Sequence, residues 1–399
     1  MFGTKRGLVL LALAGAGCGD LTGTEGDDVA VTEAALQIAP NLQQTGVVTQ
    51  TAPVTTDQSL QVATSPPSRY YLIDVGPAES GSIPRLNRNG AAIWNANGHA
   101  FVYQNCQSRD LGSLAGGSTV ARGINTAGEV VGKSKVGADW HAFSWANGTM
   151  RDLGGNRGFA FWQEAIASNY LGDVVGNEGV STVIQSAVRF QSGVTVPLAT
   201  FNGLAPTRVV DMNDSAFVVA TQESASGTKA LLSTNGGHLW RQVQGIAGLD
   251  TITTPFAENA YGHVVGTAGN GFVRAFVSRD PDQPATDLGT LGGSLATAEG
   301  INSQGWVVGW AEKTDGGGPR AFLHDRTTMI DLNTRLTSAP GWTLLEGNAI
   351  NDAGQIVGWA SNGTQTRIVF LEPARTLLAI PRCSVGSPII SAGSLSVKG

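Results

Sequence analysis

From residue 70 onward, apolar positions come in short runs of about five residues, separated by Gly, Asn and other turn formers. No run carries the 3.6-residue period over the length that an amphipathic helix needs, so the pattern predicts an all-β chain. The runs fall into groups of four. The first is a small-residue segment ending at an Asn, such as "ARGIN" or "AEGIN", and the second is a Val-Val-Gly segment. The third is a β-branched and aromatic run such as "HAFVY", "HAFSW", "RAFVS" or "RAFLH". The fourth ends near an Asp, as in "SRDLG", "TMRDLG", "ATDLG" and "TMIDL".

The group repeats. Aligned on Asn-x-x-Gly-x-Val-Val-Gly and its relics, seven copies begin at Asn87, Asn125, Asn169, Asn213, Asn259, Asn302 and Asn351, with a mean spacing of 44 residues. Such a period belongs to β-propeller blades. Asn followed three residues later by Gly suits a type I turn whose Gly is left-handed. The last copy stops after its third run, "RIVFL" at 367–371, while "YYLIDVG" at 70–76 is an unpaired fourth run at the other end. Pairing 70–75 with 367–371 would complete the last unit and remove two sheet edges. The predicted fold is a seven-bladed β-propeller with four short antiparallel strands per blade, closed by the N-terminal strand.

The combination "DLGSLAGGS", "GINTAGEVVG" and "HAFSW", repeated as "DLGTLGGS", "GINSQGWVVG" and "RAFLH", resembles the HAF-repeat family of bacterial extracellular proteins. The resemblance covers about 300 residues, is worn in the copies at 152–246, and implies a fold and an address rather than a chemistry. A second likeness lies within one unit. "STNGGHLW" at 233–240 is similar to the Asp-box turn of sialidase-type propellers, with Asn235 in place of the Asp; that box is structural and implies a hairpin between third and fourth strands.

Ahead of the repeats stand Lys5 and Arg6, an apolar run of about eleven residues and Cys18. The run is too short to span a bilayer. It resembles a bacterial lipoprotein signal peptide, which implies cleavage before Cys18, acylation of that residue, and a tether worth about 0.8 kcal/mol per buried CH₂. An ordinary secretory signal is the alternative. Residues 19–68, rich in Thr, Gln, Ser and Pro, read as a disordered linker. The domain plan is therefore 1–18 signal peptide, 19–68 linker, 69–373 propeller and 374–399 tail. The implied location is the bacterial cell envelope, on the outer membrane or cell surface.

Composition changes this picture little. With 54 Gly and only 14% charged residues, the chain has the balance of many strands and tight turns. A net charge of −6 without a basic cluster excludes a nucleic-acid footprint. Five His stand at no metal-ligand spacing, so no metal and no cofactor are expected. His99 and His141 begin third strands where other units have Arg274, Arg320 and Arg367, an exchange that suits a strand-edge role better than coordination. Asp74, Asp110, Asp152, Asp287 and Asp331 recur at one fourth-strand position, which points to a repeated structural hydrogen bond. No catalytic residue is singled out.

Two further features bear on function. Trp310 and Trp359 sit just after Val-Val-Gly in neighbouring units, with Trp306 nearby; exposed, they could bind a sugar face, and buried, they would pack between sheets. With Cys18 lipidated, Cys106 and Cys383 remain as an even pair in an oxidising compartment and are predicted to form a disulfide. The sequence thus reads as a membrane-tethered, monomeric, non-enzymatic interaction module whose partner is an unidentified protein or glycan. A carbohydrate-binding protein using inter-blade Trp pockets is the alternative. A sialidase-like glycan hydrolase is the third reading, favoured if acids and arginines converge at the channel.

Overall fold

The structure is a computed structural model of the chain and describes residues 65–154, 162–180, 185–224, 227–249, 252–269, 273–314 and 316–374. Cys18, Cys383, the leader, nearly all of the linker and the tail beyond 374 lie outside the described residues. The regular structure described is β-strand apart from one 3₁₀ turn, Leu332–Arg335. Among the described residues no helix is long and apolar enough to cross a membrane.

Six of the repeats fold as four antiparallel strands in chain order, and the Asn351 repeat supplies three. In the Asn302 unit the four are Gly292–Ile301, Val307–Lys313, Pro319–His324 and Met329–Asp331. The Asn125 and Asn169 units follow the same plan and merge into one larger sheet through a parallel contact of Trp162 with Trp140. Tyr70–Pro77 lies antiparallel to Thr366–Pro373, from Tyr70 opposite Pro373 to Pro77 opposite Arg367. It is the fourth strand of a sheet whose other members are Thr343–Ile350, Ile356–Ser361 and Thr366–Pro373.

The anchor Asn shapes the turn after every first strand. In the Asn259 unit its Oδ1 accepts from the amides of Tyr261 (3.0 Å) and His263 (3.1 Å), and the Gly262 amide donates to its carbonyl at 2.9 Å. Gly262 has φ 75°, and the equivalent glycines 90, 128, 172, 305 and 354 are also left-handed. The Asn213 unit holds the same conformation with Ala216 at φ 58°.

The remaining face of the anchor side chain reaches the next unit. Asn87, Asn125, Asn213 and Asn259 donate through Nδ2 to the carbonyls of Asn125, Asn169, Asn259 and Asn302, each at 2.9 Å. Asn302 donates to Asn351 at 3.1 Å, and Asn351 donates back to Asn87 at 3.2 Å. Between the Asn169 and Asn213 units the link is instead the Tyr170 amide on Asp214 Oδ1, at 2.8 Å. In six of the seven units the anchor amide therefore finds an acceptor in the next unit's anchor carbonyl, which also takes the turn Gly amide.

The Gly of Val-Val-Gly has a different job from the turn Gly. A Cβ on Gly132, Gly176, Gly266, Gly309 or Gly358 would lie 1.9–2.1 Å from a carbonyl oxygen of the neighbouring first strand. Each of these first strands carries a register shift opposite that point, for example between Pro255 and Ala257 or Ala298 and Gly300. On the other side the Phe of His-Ala-Phe or Arg-Ala-Phe is the cross-strand partner, as in Gly132 with Phe143, Gly266 with Phe276 and Gly309 with Phe322. Those three rings are fully buried. The two halves of the repeat motif are thus one packing unit, with a ring over a Gly that the bulge leaves no room to enlarge.

The core lies between sheets. One cluster joins Ala257, Val265 and Val277 of one unit to Ala298, Val307 and Phe322 of the next. Burial falls off toward fourth strands: Gln107–Asp110 is wholly exposed, whereas Ala92–Ala96 of the same sheet is wholly buried. Each Val or Phe so buried stabilises the fold by roughly 1.5–3 kcal/mol.

Candidate functional site

First strands from all seven units line one cavity of about 130 Å³. Its walls come from the few residues that precede each anchor Asn. At these places the chain carries charge: Arg85, Arg122, Asp211, Glu258 and Glu299 all face the cavity. A second cavity of about 170 Å³ lies toward the starts of the same strands and is lined by Arg85, Arg122, Arg208 and Glu164 with apolar neighbours that include Ile166 and Phe256. Acids and arginines therefore converge on the first strands.

The two groups differ in how well they are paired. Glu164 receives Arg122 Nε at 2.6 Å and Lys133 Nζ at 3.1 Å. Burial acts to raise its pKa, but those two cations outweigh it and hold the carboxyl below the usual range. Glu258 is 7% exposed and has no side-chain hydrogen bond on either carboxyl oxygen. Burial, and then the nearby Asp211, push its pKa well above the ordinary carboxylate value, with Arg85 and the backbone amides of Glu258 itself and Asn213 acting in the opposite direction. Glu299, also 7% exposed, is pushed up to about 8 by burial and by Glu346. Asp211 and Glu346 are raised as well, chiefly by burial. Asn348 Oδ1 is a further buried acceptor at this cavity without a donor. Among the described residues no group of three or more His, Cys, Asp or Glu is placed to hold a metal ion.

The residues singled out from sequence fall elsewhere. Trp306 is 1% exposed and packs with Leu323, Leu344 and Ile356 between sheets, so the reading of it as ligand-facing is corrected: its ring has no open face. Trp310 and Trp359 are half-buried, and Trp359 packs on the cluster of Trp94, Val357 and Phe370. Cys106 sits in the left-handed turn between His99–Gln104 and Gln107–Asp110 and is disulfide-bonded; Cys383 lies outside the described residues.

His99 and His141 each meet a fourth-strand carboxylate through Nδ1 at 2.8 Å, on Asp110 and Asp152. Arg274 does the same to Asp287 at 2.8 Å, and Arg367 to Asp74 at 2.9 Å. The other oxygen of each Asp caps the amide two residues on, as with Gly112 and Gly289 at 2.8 Å. The Asp-box-like turn links Gly227–Ser233 to Arg241–Val243, with Asn235 Oδ1 accepting from the Leu239 amide at 2.9 Å and Trp240 Nε1 donating to Ala199 at 2.8 Å.

Sequence reasoning passed over the cavity acids because they sit in segments that read as small-residue strands. A signal was present: aligned on the anchor Asn, acids stand one to five positions before it in the five units from Asn169 to Asn351.

No protein-family model matches the chain, and no curated protein matches it. Similarity appears in solved structures. YCF48 bound to D1 peptide is 12% identical with a TM-score of 0.50, covering 77% of this chain and 97% of that one. Virginiamycin B lyase from Staphylococcus aureus is 10% identical with a TM-score of 0.49, covering 76% and 99%. TolB from Acinetobacter baumannii is 11% identical with a TM-score of 0.36, and the matched region spans about half (53%) of each chain. These neighbours are β-propeller proteins. At such identities the likeness to YCF48 is one of fold, and the chain shares its all-β build of four-stranded antiparallel sheets.

Proposed function

We propose that the chain is a closed seven-bladed β-propeller, held outside the cytoplasm of a bacterium by a lipid on Cys18, that works by binding a partner at its axial cavity rather than by catalysis. The observation that carries this is a cavity lined by first strands of all seven units. Closure is supported by the Tyr70–Pro77 pairing with Thr366–Pro373 and by the return of the Asn chain from Asn351 to Asn87. Binding is favoured over catalysis because the cavity acids are spread singly over successive strands and Glu258 has no hydrogen-bonded base or nucleophile beside it. The repeat letters keep their likeness to the HAF-repeat family, whose members are extracellular, and the leader supports the same address.

The test is fractionation and cross-linking of the full chain in its native host. The wild type should stay with membranes, Cys18→Ser should become soluble, and a discrete partner should cross-link to the wild type. Equal solubility of both forms would overturn the tether, and loss of every specific adduct the binding role.

A glycan ligand, or glycan cleavage, is the second reading, favoured by Arg85, Arg122 and Arg208 lining one cavity with Glu164. A glycan array combined with fluorogenic glycosides tests it; binding or turnover abolished by Arg208→Ala would establish it.

A further inference from the structure

The charge at the axial cavity is out of balance. Asp211, Glu258 and Glu299 come from three successive first strands and line it, with Glu346 of the fourth close to Glu299. The cations facing them are Arg85, which acts electrostatically on Asp211, Glu258 and Glu299 alike, and Arg122, whose guanidinium is engaged by Glu164. A buried carboxylate is normally paired, because desolvation without a partner costs several kcal/mol. Glu258 has no side-chain hydrogen-bond partner on either oxygen, only the backbone amides of Glu258 itself and Asn213 acting on it, and Asn348 Oδ1 adds an unpaired acceptor at the same cavity. Buried acceptors without side-chain donors describe a site shaped for a donor-rich cation.

The rest of the lining narrows its chemistry. The acids are not gathered as a metal-binding group. Met212, Ile301 and Ile350 line the same cavity and give it apolar wall beside the carboxyls. A ligand matching both has an alkyl stem and a compact head with several freely rotating donors, which is an alkylammonium. We propose that this acidic tier binds an alkylammonium group, either a lysine side chain offered by a protein partner or a free alkyl amine. The inference rests on the reading of the chain as a binding propeller and names what its cavity recognises.

Binding the cation would draw protons off the carboxyls, since a positive charge beside Glu258 and Glu299 favours their ionised forms. Affinity should therefore rise from pH 6 to pH 9, a range in which an alkylammonium of lysine type stays charged.

The experiment is titration calorimetry of the full chain with n-butylamine and with a lysine-containing peptide, at pH 6 and pH 9 and in buffers of different ionisation enthalpy. Expected are tighter binding at pH 9, net proton release, a loss of about tenfold or more in Glu258→Gln, and a gain in Arg85→Gln. Binding of butylamine points to a free amine as the source, and binding of the peptide alone to a protein lysine. Absence of binding by both probes at pH 9, affinity unchanged in Glu258→Gln, or affinity falling with pH would overturn the proposal. Gln has the shape of the protonated carboxyl, and a thermal melt of Glu258→Gln matching the wild type at pH 6 shows the variant folded before its binding is read. A partner that cross-links equally to wild type and Glu258→Gln would refute the alkylammonium site and leave the binding role standing.

Discussion

Ala216 sits where six other units have a left-handed Gly, and its φ of 58° is one that a Cβ disfavours by about 1 kcal/mol. Ala216→Gly should stabilise the protein by about 0.5 kcal/mol, the gain being trimmed by the entropy Gly adds to the unfolded chain. Gly128→Ala should cost about 1 kcal/mol, for its φ is 84° and nothing lies within 4 Å of the new Cβ. Gly309→Ala should cost clearly more, about 3 kcal/mol or above, because its Cβ would stand 1.9 Å from the Thr297 carbonyl oxygen and a backbone must move. Urea denaturation of the three variants separates turn glycine from strand glycine. The turn role is readable from Asn-x-x-Gly alone. The strand role is not, because the obstructing oxygen belongs to a bulge in another strand.

At the scale of the element, the pair formed by the first residue of a third strand and the Asp of the fourth explains why His and Arg exchange there. Both present a donor to the same carboxylate, as His141 does to Asp152 and Arg274 to Asp287. Arg274→His should thus change stability by no more than about 0.5 kcal/mol, in keeping with a pair near the surface. Asp287→Ala removes that pair and the cap on the Gly289 amide together, and should cost about 1 kcal/mol. Thermal melts of the two variants decide between a repeated structural bond, which gives this ranking, and a site whose His cannot be replaced. The recurrence of Asp in several units was legible as structure; its dual use of two oxygens needed the hairpin to be seen.

For the whole molecule, the cavity acids set a pH dependence. The folded pKa of Glu299 is about 8, above its ordinary value, so between roughly pH 4.5 and 8 the folded state holds a proton that the unfolded state has lost. Stability should decline as pH rises through that window, by up to about 1.4 kcal/mol per pH unit per group, and level off above it. Glu299→Gln should flatten the decline and raise the melting temperature at pH 8, while leaving pH 4 unchanged. A wild-type melting temperature constant from pH 5 to 8 would contradict this account. The remaining prediction concerns Cys106: peptide mapping without reductant should recover it joined to Cys383, and reduction should cost about 3–5 kcal/mol. Recovery with Cys18 would overturn the pairing and the acylation together.

Much of the architecture was written in short-range pattern. Strand length, the turn after each Asn, the four-strand unit and its 44-residue period all follow from which residues tolerate extended or left-handed backbone, a property each position carries locally. The surplus of one third run over the fourth runs that follow it even implies a partner at the far end of the repeats for Tyr70 and its neighbours. Tertiary structure alone decided where the charges meet. Asp211, Glu258 and Glu299 are separated by 41–47 residues, and each looks like an isolated acid in a small-residue strand. They become neighbours only when successive sheets pack with their first strands facing inward. That packing depends on contacts between units, such as Val265 and Val277 against Phe322, which the period within one unit does not encode.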